Sequence, residues 1–341
     1  MSGAVFGRRS RPRVLVVGAG EIVASGYMPA LARLGWDSTI LDIDGERARS
    51  LARRFRGASA STQPITSSDP GGYAAVVIAT PLAAHYELTA EALEAGAHTV
   101  LVEKPPFATA TELTRALESA EERGARLLAS FVTRGWPSIQ RARELFPTWR
   151  ERFGPLARVL VAQGRPWTWG SVAARRRGAA GLESLSLEEL PHPLDSLFYI
   201  TGWRNITVEM GPERTTDTPW TFYGSVFVTT DEETRVLLEI RGSRTDVLAN
   251  AVVFEFEEAA VTVELSPIGG LITHRGDDCE VELSGIQQIA DVRDVFAELL
   301  AGTVSGAEAA APTADAAEWA GPVGVIDALR GSSAEAAERQ A

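Results

Sequence analysis

Cysteine, long apolar runs and positive charge are all scarce in this chain. Its single cysteine, Cys279, excludes internal disulfides and any cysteine-rich metal site. No apolar run approaches the roughly 18 residues that a membrane helix needs. The apolar run VLVV, which follows the basic N-terminal residues, is too short for the core of a signal peptide. The formal net charge of −12 argues against a surface that binds nucleic-acid phosphates. We therefore expect a cytoplasmic protein with no nucleic-acid partner and no membrane partner.

Lysine is nearly absent, since Lys104 is the only lysine among the 33 basic residues. Arginine stays protonated, and it would serve wherever positive charge alone was needed. Burial or a neighbouring charge can lower the pKa of a lysine, so that this side chain can exchange a proton near neutrality. Lys104 follows the strand-like run VLVE, which favours a role in proton transfer over the alternative of a surface lysine without a function.

The length and the pattern of strands indicate two domains of different architecture. Short apolar strands first alternate with helices, as in a parallel sheet with helices on both faces. From residue 153 onward, strand-like alternation continues almost without helices, which is typical of an antiparallel sheet. The predicted α/β fold has an N-terminal Rossmann domain with a doubly wound parallel sheet at 12–131, a C-terminal α+β domain with an open, mainly antiparallel sheet at 132–331, and flexible tails at 1–11 and 332–341. We expect the second domain to bind substrate and to form oligomers.

A glycine turn follows the first predicted strand. Gly18 permits the tight turn, and Gly20 lets the backbone approach a pyrophosphate at the start of a helix. The third position of the fingerprint is Val23, so we expect the helix and strand to lie slightly apart. Asp42 ends the second strand, where a carboxylate binds the ribose hydroxyls and repels a 2′-phosphate. This predicts NAD rather than NADP as the cofactor, although a strand-end turn residue is the alternative for Asp42.

The other parallel strands also end in candidate ligands. The run YAAVVIATP ends at Thr80, and HTVLVEK ends at Lys104. Ligands of such sheets lie beyond the carboxyl ends of the strands, so these residues should share one edge. The predicted cofactor contacts at this edge are Gly18, Gly20, Glu21, Ile22, Asp42, Ala79, Thr80, Pro81, His85, Glu103 and Lys104.

The segments GAGEIVASGYMPAL and ATPLAAHYELTAEALEAGAHTVLVEKP resemble the glucose-fructose oxidoreductase, inositol dehydrogenase and MocA (Gfo/Idh/MocA) family of nicotinamide-dependent oxidoreductases. The Glu-Lys-Pro motif, with ATP-x-x-x-H before it, is the more specific part. The resemblance implies that Lys104 lies beside the nicotinamide and the substrate hydroxyl. It implies that Glu103 and Pro105 shape a turn that often contains a cis peptide. It also implies a homodimer or homotetramer formed through the C-terminal sheet.

A second chemical segment is LESLSLEELPHPLDSLFYITGW, in which Pro193 suits the first turn of a helix and Gly202 its end. In the family, an acidic residue stands four positions before a histidine, and Glu188 and His192 have this spacing. The resemblance implies that His192 accepts the proton when an alcohol is oxidised and that Lys104 polarises the same oxygen. Glu188 is the third predicted catalytic residue. The alternatives are a helix cap for His192 and a solvated acidic turn for Glu188.

This segment also departs from the family pattern. Position 188 is glutamate where aspartate is usual, and Glu183 and Ser184 replace a pair of glycines. We therefore expect a substrate geometry that differs from that of inositol dehydrogenases.

Substrate contacts are predicted at Arg134, Trp167 and Asp195. Trp167 and Trp169 share a strand face that suits a sugar ring, although core or interface packing is the alternative. The run Arg175–Arg177 suits a phosphate or nucleotide diphosphate, and a solvated loop is the alternative.

These patterns predict an NAD-dependent oxidoreductase that uses no metal. It would transfer hydride between nicotinamide and a secondary alcohol or ketone of a cyclic polyol, sugar or nucleotide sugar. Biosynthetic reduction of a keto-sugar or imine is one alternative. A dinucleotide-binding regulator without catalysis is the other, since a fold does not fix a function.

Overall fold

The computed structural model describes residues 11–164, 185–212, 216–218, 221–230, 232–244, 248, 250–267, 269–282, 292–305 and 313–338. They form two sheets with helices packed around them. Within these ranges, no helix is long and apolar enough to cross a membrane.

The first sheet has seven strands in the order β16-β6-β5-β4-β1-β2-β3, where β16 is antiparallel to β6 and all other pairs are parallel. Its strands are β1 (Arg13–Val17), β2 (Asp37–Leu41), β3 (Ala58–Ser61), β4 (Ala75–Ile78), β5 (Thr99–Glu103), β6 (Arg126–Ser130) and β16 (Thr313–Asp315). This arrangement confirms the predicted Rossmann-like sheet.

Helices cover both faces of this sheet, which explains the continuous apolar runs of its central strands. The helices are α1 (Met28–Leu34), preceded by a π-helix at Val23–Tyr27, α2 (Gly45–Ala52), α3 (His85–Glu94) and α4 (Ala110–Glu122). In β1, Val14 and Val16 pack in the core beneath α1 and α2, whereas Leu15 and Val17 belong to the opposite core, beneath α3 and α4. Short 3₁₀ turns lie at Ile65–Ser67, Pro70–Gly72, Leu82–Ala84, Val132–Gly135 and Ala316–Trp319.

The segment after the glycine turn begins with the π-helix, whose turns are wider than those of an α-helix. Val23, the unusual fingerprint residue, is fully buried at its start. One turn later, Gly26 contacts the ring of Phe296 so closely that a Cβ on Gly26 would lie 2.6 Å from the ring. Tyr27 contacts the same ring edge-on, with 4.8 Å between ring centroids.

The second sheet has nine strands in the order β15-β14-β13-β12-β7-β11-β10-β8, with β9 also paired to β10. Only β7 and β11 are parallel among the described pairs, which confirms a mainly antiparallel sheet. Its strands are β7 (Leu156–Gly164), β8 (Thr207–Met210), β9 (Thr216–Asp217), β10 (Thr221–Thr229), β11 (Arg235–Ser243), β12 (Ala251–Phe256), β13 (Ala260–Glu264), β14 (Leu271–Arg275) and β15 (Asp278–Glu282).

One face of the second sheet packs on helices. The other face carries both polar and apolar side chains. The helices of the C-terminal half are α5 (Pro137–Phe153), α6 (Leu185–Glu188), α7 (Pro191–Thr201), α8 (Val292–Ser305) and α9 (Ala320–Glu338). Leu194 and Leu197 of α7 share a buried core with Val161 and Phe254 of the sheet. On the other face, Arg158 pairs with glutamates of the strands on either side. Assembly of subunits through this face stays a prediction.

Near its end, the chain returns to the first sheet. The strand pattern places residues 132–331 in the second domain, but α8 packs against α1 and β16 pairs with β6. The predicted boundary after residue 131 therefore separates these elements from the sheet that they complete. The last helix runs from Ala320 to Glu338, so residues 332–338 of the predicted flexible tail are helical.

Candidate active site

The glycine turn lies against the ends of the neighbouring strands. Gly18 has a φ of +106°, which L side chains rarely adopt, and its N–H donates to the Leu41 carbonyl at 2.7 Å. A Cβ at Gly18 would lie 2.3 Å from the carbonyl oxygen of Ala79. A Cβ at Gly20 would meet nothing within 4 Å. Gly18 is therefore required by the fold itself, whereas Gly20 leaves open space at the start of the helix.

Asp42 braces this turn. Its Oδ2 accepts from the Ala19 N–H at 2.7 Å, and its Oδ1 accepts from the Asp44 N–H at 2.8 Å. Oδ1 also accepts from Nη2 of Arg47 at 2.9 Å. Each carboxylate oxygen can accept about two hydrogen bonds, so Oδ2 keeps one acceptor position. Asp42 lies at the strand end where a residue that binds the ribose was predicted. However, three hydrogen-bond donors of the protein already occupy most of the acceptor positions of its carboxylate.

The edge has further features that fit a dinucleotide. The Thr80 hydroxyl is buried and has no hydrogen-bond partner among the described residues, and its methyl group lies beside Gly18. A buried hydroxyl without a partner is costly, and a bound polar ligand would satisfy it. Glu21, Ile22 and Pro81 are exposed around the same turn. Main-chain groups of the glycine turn, Thr80 and Asp42 are thus the groups that would hold the cofactor.

Glu103 is held in a buried hydrogen-bond network below the Lys104 turn. Tyr27 and Ser130 donate to its Oε1 at 2.6 and 2.9 Å, and the Lys104 N–H donates to Oε2 at 3.1 Å. Burial, and then the charge of Glu103, raise the pKa of Tyr27 well above its ordinary value. The Lys104–Pro105 peptide is cis. Glu103 therefore fixes the turn, and its carboxylate binds protein donors at the position where a cofactor contact was predicted.

His85 connects the two turns that flank the site. Its Nε2 lies 2.8 Å from the Thr80 carbonyl oxygen, and its Nδ1 lies 2.9 Å from the Pro105 carbonyl oxygen. Each ring nitrogen thus faces one main-chain carbonyl oxygen. The ring is buried and faces protein acceptors on both sides. His85, predicted as a cofactor contact, is placed to hold the Thr80 and Pro105 turns together.

Lys104 reaches across to the second half of the chain. Its Nζ donates to the main-chain oxygen of Glu188 at 3.0 Å. The Glu188 carboxylate points elsewhere and forms an ion pair with Arg244, which follows β11 and is only 4% exposed. The structure thus brings Lys104 and Glu188 together, but through the backbone of Glu188. Arg244 was not predicted, because one arginine among 32 in a strand-end stretch gives no sequence signal.

His192 lies in the first turn of α7, between Pro191 and Pro193. Its Nδ1 is buried without a hydrogen-bond partner among the described residues, and its ring meets Phe131 edge-on, 6.3 Å between centroids. Burial, and then the charge of Lys104, lower the pKa of His192 to about 3. His192 is therefore neutral in the folded protein at ordinary pH.

Arg134 and Asp195, two predicted substrate contacts, bind each other. The Arg134 Nε and Nη2 donate to the two Asp195 oxygens at 2.9 and 2.5 Å, and Nη1 donates to Glu318 at 2.5 Å. Their side chains are 3% and 0% exposed. The pair joins α7 to the turn that follows β6, so neither side chain offers a free polar group to a substrate. Arg134 instead anchors the helix that carries His192.

The third predicted substrate contact, Trp167, lies outside the described residues, as do Trp169 and the run at 175–177.

Residues 12–131 match the family described as an oxidoreductase family with an NAD-binding Rossmann fold, GFO_IDH_MocA. Over this segment the chain is similar to the Gfo/Idh/MocA family. The match covers the glycine turn, Asp42, Thr80 and Lys104, and it confirms the resemblance drawn from the sequence.

Similar proteins were found by sequence and by structure. The D-glucoside 3-dehydrogenase of Escherichia coli (strain K12) is 28% identical over 204 residues, which are 56% of this chain and 54% of that protein. The match therefore spans about half the length of this curated relative. A 3-ketoreductase from Actinomadura kijaniata, solved with NADP and TDP-benzene, is 20% identical with a TM-score of 0.70, over 94% of this chain and 98% of that one.

A super-repressor mutant of Gal80p from Saccharomyces cerevisiae is 16% identical with a TM-score of 0.71, over 96% of this chain and 97% of that one. At these identities, the two solved structures show that this chain shares their fold.

Proposed function

We propose that this protein is a nicotinamide-dependent oxidoreductase that interconverts a secondary alcohol and a ketone on a sugar or nucleotide sugar. The observation that supports this most is the placement of Lys104 and His192. They come from opposite halves of the chain, yet the charge of Lys104 is close enough to lower the pKa of His192. When the surroundings of two neighbouring titratable groups move their pKa values apart, one group can act as the acid and the other as the base.

In this proposal, the bound nicotinamide accepts or supplies the hydride, and the protein handles the proton. The Lys104 ammonium donates a hydrogen bond to the reacting oxygen. When an alcohol is oxidised, neutral His192 accepts the hydroxyl proton. Glu188 orients Lys104 through its main-chain oxygen, which is a different role from the one predicted for its carboxylate.

The substrate is proposed to react at the third carbon of a sugar ring. The names of two relatives, a glucoside 3-dehydrogenase and a 3-ketoreductase, both specify that position. A nucleotide-linked sugar is included because the ketoreductase was solved with a TDP compound.

A matched pair of substitutions tests the role of Lys104. Lys104→Arg keeps the positive charge but removes a proton that can be exchanged near neutrality. Lys104→Ala removes both. We expect both variants to bind reduced nicotinamide dinucleotide like the wild type, as followed by fluorescence titration. Turnover on glucosides and on UDP- and TDP-linked hexoses, followed by nicotinamide absorbance, should fall by about 10²-fold or more in both.

Wild-type turnover in the Lys104→Ala variant would exclude the proposed chemistry. Failure of the wild-type protein to bind either nucleotide would exclude the whole class.

The same charges favour reduction, the alternative in which a keto-sugar is the physiological substrate. Lys104 is placed to supply a proton to the oxygen of a ketone, whereas a pKa of about 3 makes His192 a weak base for oxidation. Initial rates in the two directions, measured with one sugar pair, distinguish these candidates. A regulator without catalysis would show nucleotide binding and no turnover in either direction.

A further inference from the structure

We infer that Arg47 binds the 2′-phosphate of NADPH, and that the ion pair between Asp42 and Arg47 makes the protein accept NADPH as well as NADH. The inference rests on the proposed function, since it requires a nicotinamide dinucleotide at the edge of the first sheet. It differs from the prediction that Asp42 favours NAD over NADP.

The position of Arg47 is the first observation. Arg47 lies in the first turn of α2, directly beyond the strand end where the ribose of a dinucleotide lies in this fold. Its Nη2 donates to Asp42 at 2.9 Å, while its side chain is 52% exposed against 6% for Asp42. A guanidinium has five N–H donors, so this bond leaves donors that face solvent beside the carboxylate. A phosphate beside Asp42 would be within reach of that guanidinium.

The second observation is the state of the Asp42 carboxylate. Three donors bind it, from Ala19, Asp44 and Arg47, and Arg47 also compensates its charge. A carboxylate that binds both ribose hydroxyls needs two open acceptor positions, and here Oδ2 keeps one. Asp42 can therefore bind one hydroxyl of NADH, and its repulsion of a phosphate is weaker than that of an unpaired aspartate.

The charged groups around Arg47 are the third consideration. Asp44 caps α2, and its Oδ1 accepts from the N–H groups of Glu46 and Arg47. The Asp44 side chain is thus directed at the helix start. Arg49 of the next turn adds positive charge near Asp44. The helix start also bears partial positive charge, which favours an anion.

Ile43 lies between these groups and is 97% exposed. A large apolar side chain held this far into solvent offers a contact surface for a ring of the nucleotide. In the proposed complex, the Ile43 side chain contacts a ring of the nucleotide.

The expected binding follows from these contacts. NADH binds with the Asp42–Arg47 pair intact. NADPH also binds with this pair intact, and the remaining N–H donors of Arg47 form charge-assisted bonds to the phosphate. Removal of Arg47 should therefore weaken NADPH binding by about 10-fold or more, and change NADH binding by less than about 3-fold.

Binding alone tests the inference, in the full chain and without turnover. Fluorescence titrations with NADH and NADPH would compare the wild type with Arg47→Ala and with Arg53→Ala. Arg53 lies at the opposite end of α2 and is exposed. Arg53→Ala therefore also removes one positive charge from this helix, but at a distance from Asp42. Competition by 2′,5′-ADP and by 5′-ADP would isolate the contribution of the 2′-phosphate. Arg47→Lys should restore part of the NADPH affinity.

We expect Arg47→Ala to lose affinity for NADPH and 2′,5′-ADP selectively, while its NADH affinity shows that the site is still folded. The inference is overturned if the wild type binds NADH but not NADPH, or if Arg47→Ala weakens both nucleotides equally or neither. It is also overturned if Arg53→Ala has the same effect as Arg47→Ala. If the wild type binds no dinucleotide at all, the proposed function fails first, and the two failures are thereby distinguished.

Discussion

The pKa of His192 makes the stability of this fold depend on pH in a way that one substitution can isolate. Burial and the charge of Lys104 lower this pKa to about 3, whereas an unfolded histidine titrates near 6.5. Between these pH values, the unfolded chain binds a proton that the folded chain does not bind. The free energy of unfolding therefore falls as the pH falls from 6.5 towards 3.

The magnitude follows from the linkage relation. One proton bound only by the unfolded chain changes the free energy of unfolding by about 1.4 kcal/mol per pH unit, which sets the ceiling. The His192 side chain is partly accessible to solvent, although its Nδ1 is buried. We therefore expect a smaller loss of about 1 kcal/mol for each pH unit below 6.5.

The assay is urea unfolding at several pH values between about 7 and 5. His192→Asn removes the titrating ring, so its free energy of unfolding should fall less steeply with acid than that of the wild type. Other groups titrate in both proteins, and the difference between the slopes isolates His192. His274→Asn is the matched control, because His274 is exposed on β14 and its loss should leave the slope unchanged. Equal slopes in the wild type and His192→Asn would refute the assigned pKa.

Three further substitutions test the packing of the site by thermal and urea unfolding. Gly18→Ala should destabilise the protein by about 2 kcal/mol or more and abolish dinucleotide binding, because of its positive φ and the 2.3 Å contact, whereas Gly20→Ala should fold normally. Arg134→Ala should lower the free energy of unfolding by about 3–5 kcal/mol, because it leaves the buried Asp195 carboxylate without its partner. A substitution in an exposed ion pair should have a much smaller effect. Tyr27→Phe should cost about 1–3 kcal/mol because it removes a buried hydrogen bond to a carboxylate, and an unchanged unfolding curve would count against the Glu103 network.

The parts that sequence could predict are those determined by local pattern. Continuous apolar runs identified the parallel strands, and the strand ends placed Gly18, Asp42, Thr80 and Lys104 on one edge. The Gfo/Idh/MocA resemblance located His192, because the acid-to-histidine spacing lies within one short segment.

Contacts between distant parts of the chain gave no such pattern. Arg244 and Arg47 are two of 32 arginines, and neither lies in a motif that would single it out. The ion pair of Arg134 with Asp195 joins residues that are 61 positions apart in the sequence. Asp195 was predicted as a substrate contact, whereas its burial and its ion pair make it part of an anchor. The pattern of apolar and polar residues also could not show that β16 runs antiparallel to β6 in an otherwise parallel sheet.

The return of the chain to its first sheet has a consequence for synthesis on the ribosome. When residue 131 has been made, β6 is still an open edge strand, and the groove at Gly26 has no Phe296 to fill it. Phe296 and the partner strand β16 are translated only after the strands of the second sheet. The layer that carries the glycine turn is therefore completed only after the second sheet has been translated, and a nascent chain that stops before Phe296 has the glycine turn without the ring that packs on Gly26.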